Sequence, residues 1–177
     1  MTVPTIHADR LDLVPLSLAF LEAILNGRRA DAETIAALKL PEGWPDERDR
    51  RLLRRRRDQM RQEPGCQEWL IRAMVLPGDG CAMVGHIGFH GPPQTIGRAE
   101  LGYSVVPDHR RRGYAIESAR AMMDWAALEH ETRSFFVSIA PDNAPSLALA
   151  TKLGFARVGE QIDEEDGLEY VFELVRT

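Results

Sequence analysis

Cysteine is scarce in this 177-residue chain: Cys66 and Cys81 stand far apart, with no Cys-x-x-Cys pair. That excludes a disulfide framework and a cysteine-rich zinc site, and either thiol is expected as a small core residue. Lysine occurs only at Lys39 and Lys152, so nearly all positive charge is arginine. No apolar run approaches the roughly 18 residues that a membrane span needs. Met1 to Asp9 lacks a basic start followed by an apolar stretch, so no secretion signal is expected and a cytoplasmic location is. Basic charge is not in excess. The net charge of −5 disfavours a dedicated nucleic-acid binder, because a phosphate backbone rewards a basic surface. Repeats and low-complexity linkers are missing, and no metal site is expected.

What is present suits a single globular domain, residues 1–177. Hydrophobic residues make up 44% and charged residues 28%, and a chain of this size buries roughly 70% of its unfolded surface. Arg10 to Pro15 alternates as a half-buried strand. Ser17 caps a helix that stops at Gly27, and Ala30 to Leu40 reads as a second helix. Pro45 to Arg61 reads as a charged helix with an arginine cluster, Arg50, Arg51 and Arg54 to Arg57. That cluster is either a solvated face interleaved with acids or an anion or partner surface. Glu68 to Val75, Cys81 to His90 and Arg98 to Val106 form an antiparallel meander, turned first at Pro77-Gly78-Asp79-Gly80. Arg112 to His130 is a helix, Ser134 to Ala140 a strand, and Asn143 to Leu153 a helix closed by Gly154. Phe155 to Gln161 and Leu168 to Val175 make a last hairpin around an acidic turn, Asp163 to Asp166. This order predicts an α/β fold with a mixed, mostly antiparallel sheet of six to seven strands and helices on both faces.

The informative stretch is Glu100 to Ala115. A strand ends at Pro107, and a basic loop leads through Gly113 into a helix. A helix start has unpaired N–H groups and a positive dipole end, so it holds anions. Gly113 lets the main chain come close to a ligand, and Arg110, Arg111 and Arg112 add charge. A phosphate or pyrophosphate is the expected ligand. Neither a Walker loop nor a dinucleotide fingerprint is present.

Arg110-x-x-Gly113-x-Ala115, following an antiparallel strand, resembles the pyrophosphate loop of the GNAT superfamily of N-acetyltransferases. A second block, Asn143-Ala-Pro-Ser146 running to Lys152-Leu153-Gly154-Phe155, resembles that family's helix ending in Lys-Leu-Gly-Phe. Asp9 to Leu16 and Gly113 to Glu117 resemble the branch of ribosomal-protein N-terminal acetyltransferases. The resemblance runs from about Thr5 to Val175.

It implies a central splay in the sheet, with acetyl-CoA as co-substrate lying between the strand at Glu100–Val106 and that at Ser134–Ala140. Main-chain groups of Ser104, Val105 and Val106 would pair with the pantetheine arm. The amides from Arg111 to Ala115, Tyr114 among them, would cradle the pyrophosphate. Asn143 would bond the pantetheine, or serve only as a helix cap. Ser146 would face the cofactor.

Transfer needs a neutral amine, hence a base. Glu100 is the leading candidate, and His86 and His90 share a strand face from which either can relay a proton. Val105 or Val106 would give an N–H to the oxyanion. The family's frequent acid tyrosine is replaced by Ala150, which leaves Ser146, with Tyr114 second. Trp44, within Leu25 to Pro45, and the acidic turn are expected around the acceptor, a protein N-terminus or a small amine. The resemblance also implies a homodimer, with no residue marking its interface. The competing reading is an acyl-CoA-binding module without transfer activity.

Overall fold

The computed structural model describes residues 3–93, 97–165 and 167–176. Eight strands form one sheet in the order β1-β2-β3-β4-β5-β6-β8-β7. They are β1 (Ile6–His7), β2 (Asp12–Pro15), β3 (Arg72–Leu76), β4 (Ala82–Phe89), β5 (Arg98–Val105), β6 (Ser134–Ile139), β7 (Ala156–Asp163) and β8 (Gly167–Val175). The helices are α1 (Leu18–Leu25), α2 (Arg29–Ala36), α3 (Glu47–Gln62), α4 (Tyr114–His130) and α5 (Ala144–Leu153). Every pairing is antiparallel except β5 with β6. The extra strand relative to the expected six or seven is the two-residue β1, too short to show periodicity.

Apolar side chains of the sheet feed two cores. Leu13, Met74, Ile87, Phe89, Leu101 and Phe135 pack under α4 and α5 with Met122, Met123 and Phe155. Ala73, Val75 and Met83 pack on the opposite face with Phe20, Leu53 and Met60 of α1 and α3. Burial on both faces explains why β4 reads as a continuous apolar run rather than an alternating one. An extra residue, Val84, bulges from β4 where the register with β3 shifts between Met74 and Val75.

Local chemistry sets the helix ends. Ser17 accepts the Phe20 N–H, and Asp46 and Asp49 form a reciprocal capping box at the start of α3. Gly154 closes α5 in the left-handed region at φ 89°. The strand expected from Glu68 begins only at Arg72, because Pro64 opens a single 3-10 turn through Glu68. Cys66 is buried as expected, but Cys81 is exposed at the β3–β4 turn.

At Gly88 on β4 another stretch of backbone comes close. A Cβ there would lie 2.5 Å from the Leu70 carbonyl oxygen and 3.0 Å from Ile71 Cα. Gly88→Ala is therefore expected to destabilise the fold by about 2–3 kcal/mol, as overpacking against main chain does. A chemical-denaturation midpoint equal to wild type would refute this close approach.

Candidate active site

The parallel pair β5–β6 is matched only at Arg98↔Ser134, Ala99↔Phe135 and Glu100↔Phe136. Beyond Glu100 the strands part. On its other side β5 stays paired with β4, from Leu101 opposite Phe89 to Val105 opposite Gly85. Glu100 accepts the His90 N–H at 2.9 Å, and Val106 donates to Val84 at 3.0 Å. Main-chain direction alternates along a strand. Residues 100, 102, 104 and 106 thus spend their main-chain groups on β4, while Leu101, Tyr103 and Val105 turn theirs into the opening.

This corrects the expectation for Ser104, Val105 and Val106. Only Val105 offers its main chain to the splay, and Leu101 and Tyr103 join it. The Val105 carbonyl already accepts Arg110 Nε at 3.0 Å.

Pro107 starts a short 3-10 turn, and the loop enters α4 through Arg111 at φ 58° and Gly113 at φ 84°. A left-handed Gly113 followed by the right-handed first residue of α4 turns amides to one side, as in an anion-binding nest. The N–H groups of Arg111, Arg112 and Gly113 make no hydrogen bond among the described residues. Arg10 braces the loop from outside. Its Nε bonds Glu117 at 2.7 Å, its Nη1 bonds the Arg112 carbonyl at 3.0 Å, and its guanidinium lies 4.9 Å from the centre of the Tyr114 ring. The two segments that resemble the ribosomal branch therefore meet in space. Tyr114 is buried, at 9% exposure, so its phenol is spent on packing; Ala115 follows in the first turn of α4.

Across the opening, Asn143 caps α5, its Oδ1 accepting the Ser146 N–H at 3.2 Å. The Ser146 side chain lies near the phenol of Tyr103, a residue that strand periodicity marks only as an inward apolar position, and acts to lower it. Burial, partly offset by Ser146, raises the Tyr103 phenol above its ordinary value.

A cleft of about 750 Å³ lies over the splay. Its walls are α3, the face of β4 and β5 that carries His86, His90, Glu100 and Ser104, the start of α5 with Asn143 and Ser146, and the β7–β8 hairpin with Asp163 and Glu165. Trp44 does not reach it. Its ring is 6% exposed and packs beside Phe20, and Arg29 binds the carbonyl oxygens of Leu40, Pro41 and Trp44. No residue from Leu25 to Pro45, the segment expected around the acceptor, lines this cleft; α3 does. Of the acidic turn, Asp163 and Glu165 line the cleft, and Asp166 lies outside the described residues.

Two carboxylate–imidazole pairs stand in the cleft. Glu100 Oε2 meets His90 Nδ1 at 2.9 Å, and its Oε1 accepts the Ser138 hydroxyl at 2.8 Å. Burial raises the Glu100 carboxyl, but the His90 and Ser138 bonds and the Arg56 charge together hold it below its ordinary 4.5. The His90 ring lies over Gly102, where a Cβ would stand 2.8 Å from Nε2. Gly102 thus makes room for the imidazole.

His86 Nε2 bonds Asp49 at 3.0 Å, fastening the first turn of α3 to the sheet. Burial raises Asp49, and the bonds to His86 and Asp46 outweigh it, so it too is lowered. Both carboxylates stabilise the fold above their ordinary values, and that contribution is lost as pH falls through the lowered ones.

Parting strands with open main chain, beside a nest of free amides at a helix start, define an acyl-coenzyme A transferase class of site. The description of an acetyltransferase (GNAT) domain matches residues 10–156, and the chain belongs to that family, whose members use acetyl-CoA as co-substrate. It is 32% identical over 91 residues to YjdG of Bacillus subtilis, an uncharacterized N-acetyltransferase. That match takes in 51% of this chain and spans about half, 52%, of the relative's length.

An acetyl transferase from Salmonella typhimurium that modifies the N-terminal serine of the 50S ribosomal subunit protein L7/L12 superposes with a TM-score of 0.66. It is 16% identical, and the match covers 98% of this chain and 100% of that one. The microcin C7 self-immunity acetyltransferase MccE, solved with acetyl-CoA and AMP, gives 0.64 at 14% identity, over 95% and 93% of the two chains. At these identities the likeness is one of fold. Among the described residues no helix is long and apolar enough to cross a membrane, and no cluster of side chains could hold a metal ion.

Proposed function

We propose that this protein moves the acetyl group of acetyl-CoA directly to a primary amine in a ternary complex. The observation that carries the reading is the parting of β5 from β6 after Glu100, in line with the free amides of Arg111 to Gly113. The nest and its arginines hold the diphosphate. The open edge of β5 holds the pantetheine as an added strand through Val105, and the Asn143 side-chain amide bonds it from the other wall. The N–H of Tyr103 or Val105 serves the oxyanion.

His90 takes the proton from the amine, with Glu100 orienting its ring and stabilising the charge it gains. The pair Tyr103–Ser146 returns a proton to the departing thiolate. It fills the gap left by Ala150, which is buried on α5. The acceptor enters between α3 and the β7–β8 hairpin. Free thiols and dependence on acetyl-CoA fit a cytoplasmic setting.

The test is coenzyme A release with acetyl-CoA over a panel of peptides and small amines. Acceptor-dependent release is expected. Tight acetyl-CoA binding with no release for any amine would replace this reading with that of a binding module without transfer activity.

A further inference from the structure

Helix α3 carries an arginine cluster that acetyl transfer itself does not use. Arg54, Arg55, Arg57 and Arg61 each hold a carboxylate: Glu47, Glu165, Asp58 and Glu22. Arg48, Arg51 and Arg56 form no ion pair among the described residues, and all three line the cleft.

Arg56 is the telling one, at 4% exposure. Its Nη1 donates to Gln59 Oε1 at 2.7 Å and reaches the His90 carbonyl at 3.4 Å. Its Nε and Nη2 make no hydrogen bond among the described residues, and the residue lines the cleft. Arg72, also buried, spends both Nη atoms on the carbonyls of Pro4, Leu13 and Glu68. Burying a guanidinium that no carboxylate touches is costly: burial and the neighbouring Arg55 charge push Arg56 down to about 10, and the Glu100 carboxylate opposes them only through space. A planar fork with two free donors suits a carboxylate or phosphate. The facing wall bears Asp142 and Asp163, with Glu165 tied across to Arg55, so the cleft is cationic on one side and anionic on the other.

We propose that the acceptor is an amine carrying a carboxylate or phosphate a few bonds from its nitrogen, held by Arg56 with Arg48 and Arg51 at the rim. This rests on the acetyl-transfer reading. The spacing follows from two observations: Arg56 reaches the His90 main-chain carbonyl, and its charge acts on Glu100, the carboxylate that holds the His90 ring, so the anion site lies near the group that takes the amine's proton. The ammonium is drawn to the acidic wall while the oxyanion docks on the basic one, so the reacting nitrogen is oriented before it loses its proton.

The test offers acceptors in pairs that differ by one charge: free amino acids against their α-amides, phosphoethanolamine against ethanolamine, and peptides starting with Asp against Asn. The anionic member is expected to be better in kcat/KM by about 10- to 100-fold, and the pair that shows the larger ratio tells carboxylate from phosphate. Arg56→Gln and the double variant Arg48→Gln/Arg51→Gln should shrink that ratio through the acceptor KM, with the KM for acetyl-CoA held within about twofold. Arg56→Lys should restore part of it. The exposed double variant keeps the test valid if Arg56→Gln does not fold. Turnover without charge preference, or a preference that survives all these variants, overturns this inference and leaves acetyl transfer standing. Absence of coenzyme release with every acceptor, charged or not, overturns both.

Discussion

Gly113→Trp is expected to weaken acetyl-CoA binding by on the order of 100-fold, about 2.7 kcal/mol, while the chain stays folded. Gly113 sits at φ 84°, in the left-handed region, where any other L residue is strained by roughly 1–2 kcal/mol. Even a Cβ would stand 3.2 Å from Arg10 Nη2, one of the atoms that brace the loop. A larger side chain would displace Arg10 from Glu117 and turn the amides of Arg111 to Gly113 away from a common point. It would also fill the concave face that a diphosphate must enter. The site is exposed, so the fold does not depend on it.

Thermal melting with and without acetyl-CoA reads the effect. A ligand at about 100 times its dissociation constant adds about 2.7 kcal/mol to the wild type. In a chain of this size that is a rise of about 5–10 °C in Tm, and the variant should lose nearly all of it. A full rise in Gly113→Trp would remove the pyrophosphate from this loop.

The parts of the site that lie within one segment were legible in the sequence. The loop from Arg110 to Ala115 and the cap at Asn143 are local, because a turn, a glycine and a helix start are written in consecutive residues. The splay was read only from resemblance, since nothing in residues 98–105 or 134–139 states that their pairing stops after three positions. Which residues of β5 face the opening depends on its register with β4, and that register is set by tertiary packing. Hence Ser104, Val105 and Val106 were expected together although only Val105 turns its main chain inward.

Tyr103 was passed over because alternation marks it only as an inward side chain; its hydroxyl partner, Ser146, comes from α5. Trp44 was misplaced for another reason. It was placed near the acceptor through the resemblance, as part of the segment Leu25 to Pro45, and only the packing against α1 shows it to be core. Helix α3 was read as a solvated face or an anion surface; its ion pairs fit the first, and the second rests on our proposal for the cleft. Paired arginines face solvent and the hairpin, while the unpaired ones at 48, 51 and 56 face the cleft.

Glu100→Gln and His90→Gln should each lower kcat/KM by about 100- to 1,000-fold, the range of positioned acid–base groups. The KM for acetyl-CoA should change little, because neither side chain belongs to the nest or to the open edge of β5. Glutamine keeps the shape of Glu100 but carries no charge to stabilise an imidazolium, and its amide group would set a donor against His90 or Ser138. If the two residues act as a unit, the double variant loses no more than the worse single one; additive losses would mean two independent roles.

The pH profile separates their contributions. Glu100 is held below 4.5, so it is ionised throughout the neutral range, and an acid limb due to its own protonation must lie below that value, with activity falling as pH falls through it. A limb above about pH 5 must belong to another group. Its disappearance in His90→Gln would assign proton acceptance to the imidazole, with Glu100 orienting it. Its persistence there would transfer the role to water or to the second pair, His86 with Asp49, which His86→Gln then tests directly.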